Sequence, residues 1–451
     1  MEVTFTAFAA MGDGTEVLLH QEVPLRGAEF SRELNGVGRL SGSVPPEFLH
    51  ERNADGIPVI EEWTTIIYPQ VNGQMFDGYI LSDVEDGESE AVLDCASFLG
   101  YWDGMPYESV LAKNNYPVAS VIRELAGNVS AKPHGNLGMS VSIEGGLPLV
   151  GIPDLSKLPA RPKTPVKPRP FTAKQPTAPK YPTLSGSSAN RKAQLDKYTA
   201  AKSNYEKSLA SWRKSRDDAT KAERAYQDAM RAVEDWEKER DREIEQSRYE
   251  INYWSTHDVL REFQQLSDEC EFSYRVDHDW VGERPKHVLR VWPGAGRRRH
   301  GIDFIEGENV YSVPKISRGG EKKADHIRVL GAGEGASTRT YGYGILGQKK
   351  RGLGRILTIT DKTASTTARM DAIARKRWGY ASRPLDIEAF TIIDHDLAPL
   401  GEFDVGDEIL FQPLLRRGDK PSVYVTVIAI DIDAEKGTAE VSVVPSGGVF
   451  G

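Results

Sequence analysis

The sequence predicts a mainly β, α+β chain: several small β-barrel or sandwich domains, interrupted by an inserted arm made of a proline-rich strand and a long α-helix. Three observations lead there. Short alternating runs separated by turn signals fill residues 1–110 and 305–451. Prolines recur every three residues at Pro159, Pro162, Pro165 and Pro168. No Pro or Gly occurs between Ser187 and Trp254, the longest helix-compatible stretch in the chain.

Residues 1–110 form the first β region. An alternating run, Val3 to Phe8, follows Met1 at once, without the basic and apolar regions of a secretion signal. Further strands are expected at Glu16–His20, Arg39–Val44, Thr64–Tyr68, Asp77–Val84 and Ala91–Ala96. Asp13-Gly14, Asn35-Gly36, Asn72-Gly73 and Asp86-Gly87 punctuate them, because these pairs tolerate the backbone of tight turns. Many short strands with regular turns indicate a barrel or sandwich.

Residues 111–150 and 255–304 are expected to pack together as one small α+β domain split by the arm. A helix over 117–127 carries Val118, Val121, Ile122 and Leu125 on one face and meets Gly127. A second helix over 256–268, with Thr256 as N-cap, carries Val259, Leu260, Phe263 and Leu266. Strands Cys270–Val276 and His287–Val291 follow. In residues 305–451, strands are expected near Ile327–Gly331, Arg355–Thr360, Leu385–Ile393, Glu408–Gln412, Ser422–Asp431 and Ala439–Val443. A helix over Thr363–Tyr380, with Ala364, Ala368, Ile373, Ala374 and Trp378 on its apolar side, should pack closely on a sheet.

The arm spans 151–186 (strand) and 187–254 (helix). Polyproline II has three residues per turn, so Pro159, Pro162, Pro165 and Pro168 should share a face. A helix of ~60 residues is ~90 Å long, and ~34 extended residues span ~105 Å, so a chain can leave on one and return on the other. On the helix, Tyr198, Tyr205, Trp212, Ala219, Tyr226 and Val233 are spaced by seven, beside a small row of Ala201, Ser208, Ser215, Ala222 and Ala229. The other seam position is mostly charged (Lys202, Arg216, Glu223, Glu237), with Leu209 and Met230 apolar. A self-associating coiled coil wants both seam positions apolar, whereas an aromatic-lined groove suits a polyproline strand. Tyr198, Tyr205, Trp212, Tyr226 and Val233 are therefore the candidate arm-packing interface with the four prolines, within one chain or against a symmetry mate. The alternative is a flexible linker followed by a trimeric coiled coil.

Charge and composition exclude more than they identify. The 451 residues carry a net −9. Residues 151–186 hold seven Lys or Arg and one Asp, a net +6, leaving −15 on the remainder. Cys95 and Cys270 alone provide neither a disulfide framework nor a zinc set, and fit assembly in a reducing cytoplasm. No transmembrane helix is expected. Gly331-Ala332-Gly333-Glu334-Gly335 lacks the following helix of a dinucleotide loop and is expected as a loop. Asp277-His278-Asp279 and Asp394-His395-Asp396 would hold a metal only if they converged; strand-end turns are the plainer expectation. Asp404-Val405-Gly406-Asp407 is expected as a solvated turn entering a strand. Basic clusters at Arg297-Arg298-Arg299-His300, Glu321-Lys322-Lys323 and Lys349-Lys350-Arg351 are expected in Gly-rich loops, as solvated loop tips or inter-subunit ion pairs, with contact to DNA or an acidic partner as the alternative. No nucleophile, base and orienter assemble, so neither an enzyme nor a cofactor is expected.

Phe30-Ser31-Arg32-Glu33-Leu34-Asn35-Gly36-Val37-Gly38-Arg39-Leu40-Ser41-Gly42-Ser43-Val44-Pro45 resembles the start of the tail-hub proteins of actinobacterial siphophages, the minor tail proteins. Trp63–Tyr68 and Phe76-Asp77-Gly78-Tyr79-Ile80 follow at matching spacing. Ala324-Asp325-His326-Ile327-Arg328-Val329 with Gly331, the Ala-rich helix, and Phe403-Asp404-Val405-Gly406-Asp407-Glu408-Ile409 continue the likeness through 255–451. The resemblance implies a structural protein of the virion tail tip: a homotrimeric hub ring that closes the tail tube. It would lie between the tape-measure protein, the distal tail protein ring and other tip proteins, with genome DNA passing through its lumen without specific binding. Two other readings stay open: a tail-associated cell-wall hydrolase, and an adhesion module whose arm or exposed Trp280 and Trp292 meet the host envelope. The chain runs to Phe450-Gly451 soon after its last expected strand, so a peptidoglycan-cleaving extension is not expected.

Overall fold

A computed structural model describes residues 1–254, 256, 258–294, 296–312, 324–344, 353–362, 364, 367–381, 387–414 and 422–445. It divides into two compact units. The first comprises Met1–Ala112, Tyr116–Val150 and Glu250–Gly451; the second comprises Lys113–Asn115 and Gly151–Tyr249. The architecture is mixed α+β and mostly strands, with one long helix.

The first unit is organised by one large sheet. Its strand order is Arg297–Ile305, Asp407–Gln412, Val423–Asp433, Arg26–Glu33, Arg39–Val44, Ala91–Ser97, Tyr79–Asp86, Thr65–Val71, Val3–Ala10 and Glu16–His20. Ala389–Ile393 joins through Thr438–Pro445, which pairs with Val423–Asp433. The N-terminal and C-terminal β regions thus share one sheet, sewn by the antiparallel register Ala429↔Glu33 through Asp433↔Glu29. The alternation of Arg26–Glu33 explains the layering. Ala28, Phe30 and Arg32 point inward, while Glu29 and Glu33 are exposed. Phe30, Ile430, Ile432 and Val441 lie in one continuous core with Phe5, Phe304, Phe390 and Phe411. Asn72 and Gly73, at φ 51° and 80°, make the two-residue connection from Thr65–Val71 to Gln74–Met75. Both central residues of that turn type need positive φ, which Asn and Gly accept most readily.

A smaller sheet lies in the same unit. Met139–Ile143 runs parallel to Arg284–Pro293, which pairs antiparallel with Phe272–Val281. Helix α1 (Val118–Ser130) buries Val118, Val121, Ile122, Leu125 and Val129. Each such aliphatic side chain stabilises by ~1.5–3 kcal/mol. A later helix (Val259–Cys270) packs against α1. Its cap is Asp258 rather than Thr256, because the Asp258 carboxylate accepts the Arg261 amide at 3.0 Å. Segments on both sides of the insertion therefore build this sheet and its helices.

A third sheet, His326–Leu330 with Thr340–Gly344 and Ile356–Thr360, carries the helix Thr367–Ala381 and has its own core of Ile327, Val329, Ala364, Met370 and Ala374. Ile373 and Trp378 pack against this core, and the side chain of Ala368 is outside the described residues.

The second unit is a single helix, Ser188–Gln246, with residues 151–187 laid along it. The Ser187 side chain caps its start by accepting the Asn190 amide at 3.4 Å. At the other end Asn114 Nδ2 donates to the Ile244 carbonyl at 2.8 Å and to Ser247 Oγ at 3.1 Å, satisfying groups a helix terminus leaves open.

Candidate functional site

The arm has a defined internal geometry. Trp236 Nε1 donates to the Pro159 carbonyl at 2.8 Å, and Arg161 pairs with Glu237 at 2.9 Å. Further along, Trp212 Nε1 donates to the Ala173 carbonyl at 2.8 Å, and Phe171 meets the Trp212 ring edge-on at 5.8 Å. Tyr181 meets Tyr198 at 5.1 Å. Strand contacts at 159, 173 and 181 thus fall against helix positions 236, 212 and 198, so the two run antiparallel. From 159 to 181 a fully extended strand covers ~68 Å, and from 236 to 198 the helix covers ~57 Å. The strand therefore follows a slightly longer path than the helix axis.

The burial pattern shows how proline spacing serves this contact. Pro162, Pro165, Pro168 and Phe171 are half-buried at every third position, and their neighbours are exposed. After a slip in phase, Pro176, Pro179 and Pro182 repeat the pattern. Pro159 departs from the expected shared face: its ring is exposed and it uses its carbonyl instead. On the helix, Tyr198, Tyr205, Trp212 and Tyr226 are half-buried and Val233 is buried. The small row expected to form the groove is largely exposed at Ala201, Ser208, Ser215 and Ala222, and is covered only toward Ala229 and Trp236. The strand covers Leu209, Glu223 and Met230 more than the small row, so aromatic edges and indole donors rather than a groove receive it. Trp236 and Phe171 were missed as partners. Trp236 was legible: it lies three residues after Val233, on the same helix face.

The first unit holds an enclosed polar junction. Arg32, 9% exposed at its side chain, reaches Asp404 at 2.6 Å, Asp277 at 3.2 Å and Asp77 at 3.9 Å. It also donates to the carbonyls of Phe76 and Val276. Burial pushes the Asp404 carboxyl above its usual range despite Arg32 and Arg275. Burial also acts upward on Asp277, but Arg275, Arg32 and Arg290 outweigh it and hold that carboxyl low. Beside this, His278 and His287 face one another Nδ1 to Nδ1 at 2.8 Å. His287 Nε2 lies 2.8 Å from Glu16, and Tyr68 donates to the same carboxylate at 2.9 Å. Burial holds His278 below the ordinary imidazole value, although Asp77 at 2.9 Å pulls it up. Phe98 closes over both imidazoles, with ring centres 4.8 and 4.4 Å away.

The Leu34-Asn35-Gly36 turn belongs to the same junction. Asn35 takes φ 59°. Its Oδ1 accepts the Tyr274 amide at 2.7 Å, and its carbonyl accepts the Tyr274 hydroxyl at 2.7 Å. The Leu34 amide donates to the Ile428 carbonyl at 2.8 Å. The turn therefore touches the small sheet and the C-terminal strand together.

Several expectations are corrected. Asp277-His278-Asp279 lies inside the strand Phe272–Val281, not at its end, and Asp277 and His278 belong to the junction. Asp394 instead meets the Met1 amino group at 3.4 Å and Asn72 at 3.0 Å. Among the described residues no three His, Cys, Asp or Glu side chains gather to hold a metal ion. The turn at 404–407 does enter a strand, yet Asp404 is enclosed with Arg32 and Asp407, 4% exposed, meets Arg299 at 2.8 Å. Arg297–Arg299 lie in the strand Arg297–Ile305, and Arg298 stacks over Tyr424 at 3.8 Å. Trp280 packs on Phe8 at 5.8 Å, and Trp292 lies under Arg275, so neither is an exposed platform. The clusters at 321–323 and 349–351 are outside the described residues.

No family model matches the chain, and no curated protein matches its sequence. Solved structures do. The 43 kDa tail protein of prophage MuSo2 from Shewanella oneidensis is similar with a TM-score of 0.51 and 10% identity, over 99% of each chain. The tail protein from Neisseria meningitidis MC58 is similar with a TM-score of 0.52 and 10% identity, over 100% of this chain and 98% of that one. At such low identity the likeness is one of fold, and over nearly its whole length this chain has the fold of these two tail proteins, one of them from a prophage.

Proposed function

We propose that this chain is a structural subunit of a bacteriophage tail tip: a hub protein that assembles as a homotrimeric ring closing the tail tube. The observation that carries this reading is the end-to-end fold likeness to two tail proteins, one of them from a prophage, reached at 10% sequence identity. The enclosed junction supports it. Largely buried charges that fasten four chain segments suit a subunit that must stay rigid under load. In this reading the ring contacts the distal tail ring above it, the tape-measure protein within, and other tip proteins below. The genome passes through the lumen without base-specific contact. The acidic remainder of the chain, at −15, favours sliding over adhesion there.

Gold-labelled antibody against the protein on purified particles tests the placement. Label confined to the tail tip is expected, and label on the capsid or on no particle would refute it. A peptidoglycan zymogram of the purified chain should show no clearing; a cleared band would favour the hydrolase reading.

A further inference from the structure

We infer that the outer face of the proline-rich strand is a sequence-independent contact for the phosphate backbone of duplex DNA. The inference does not depend on the hub reading.

The strand is built to present charge. Pro162, Pro165 and Pro168, then Pro176, Pro179 and Pro182, turn toward the helix. With three residues per turn, the positions between them form two outward lines. Lys163, Lys167, Arg169, Lys174 and Lys180 occupy those lines and are all exposed. Arg161 is paired with Glu237, but among the described residues no carboxylate pairs with the other five. From Lys163 to Lys180 the strand extends ~53 Å at ~3.1 Å per residue, about the length of one and a half turns of duplex. The indole hydrogen bonds at Pro159 and Ala173 and the Tyr181–Tyr198 contact beyond them hold its backbone along the helix before any partner arrives.

The chemistry of that face selects the partner. Single-stranded nucleic acid is held by aromatic stacking. Here Phe171 is half-buried against Trp212, and Tyr181, though exposed, is a single ring beside Tyr198, so the face offers no row of rings for successive bases. Insertion into a membrane interface needs a stripe of apolar residues, and between Lys163 and Lys180 the one exposed large apolar side chain is Val166. What remains is a line of point charges, which fits phosphates and reads no sequence. Duplex DNA offers one negative charge per ~1.7 Å of axis, a linear array that an extended line of cations can follow. The segment 151–186, at a net +6, attracts DNA where the remainder, at −15, on balance repels it.

The full-length chain is titrated into two labelled duplexes of unrelated sequence, and anisotropy is followed over a range of salt. Five phosphate contacts give a slope of log K against log salt of about −4.5, hence a loss of about 500-fold between 50 and 200 mM. Both duplexes should bind alike. The variant K163Q/K167Q/R169Q/K174Q/K180Q should keep the helical circular dichroism and lose the slope. K238Q, on the helix, should leave the slope unchanged. Absent binding at 50 mM salt, an unaltered slope in the five-site variant, an equal loss in K238Q, or tighter binding to phosphatidylglycerol vesicles than to DNA would each overturn the inference.

Discussion

Replacing Arg32 by Met tests whether the enclosed junction holds the first unit together. The substitution keeps most of the aliphatic volume and removes the cation facing Asp404, Asp277 and Asp77 at 2.6, 3.2 and 3.9 Å. Breaking a buried pair by deleting one partner costs ~3–5 kcal/mol, because the remaining charge stays enclosed. At ~2 °C per kcal/mol for a unit of this size, the melting temperature should fall by about 6–10 °C. The loss should depend on pH. Asp404 already titrates above its unfolded value because it is buried. Such a group destabilises the fold at neutral pH, and its penalty fades as pH falls toward the unfolded pKa of ~3.9. Asp277, held low against its burial by Arg275, Arg32 and Arg290, adds stability at neutral pH that disappears as pH falls through its folded pKa. Arg32→Met worsens the first term and weakens the second, so its cost is largest near pH 7 and shrinks toward pH 4. Adding Asp404→Asn should recover part of the loss, since it removes the charge left unpaired. Thermal and urea unfolding at pH 7 and pH 4 provide the readout. A loss below ~1 kcal/mol at pH 7, or one that does not change with pH, would refute the reasoning.

Further tests address other regions. Trp212→Ala with Trp236→Ala removes both indole donors that hold the strand, at roughly 1 kcal/mol each, and trypsin should cleave after Lys163 and Lys174 faster than in the parent chain. Asn114→Ala should speed amide exchange over 244–248 while leaving the middle of the helix protected, because Nδ2 caps that end. Burial pushes the Cys95 thiol well up and the Cys270 thiol up to about 12, so neither should react with a thiol reagent at pH 7 until the chain is unfolded.

Much of the fold was legible because local rules carried it. The apolar spacing of Val118, Val121, Ile122 and Leu125 placed α1 within a few residues of its observed span, Val118–Ser130. The proline-free, glycine-free stretch gave most of the long helix, Ser188–Gln246, but the expected end at 254 is corrected, since Tyr249–Asn252 is a strand. Asn72-Gly73 gave its turn. Long-range pairing was not legible. Nothing local in Arg26–Glu33 says that Val423–Asp433 lies beside it, because register between distant strands is set by tertiary packing. Arg297–His300 was read as a loop because its charged run beside Gly294, Gly296 and Gly301 shows no alternation; backbone pairing with Asp407–Gln412 and ion pairs with Asp407 and Glu408 hold it in the sheet instead. The buried role of Asp404 was hidden for the same reason: its partner Arg32 is hundreds of residues away. In the arm the aromatic row of the helix was readable, but the phase slip after Phe171 and the use of the Pro159 carbonyl depend on how two differently pitched rods settle together.

Electron cryomicroscopy of the tail tip, at a resolution that separates subunits, examines the structural reading head-on. Three copies related by a threefold axis, with their sheets forming a closed collar around the tube, are expected. Particles whose tips lack the chain, or carry it as isolated copies away from the tube axis, would contradict the account.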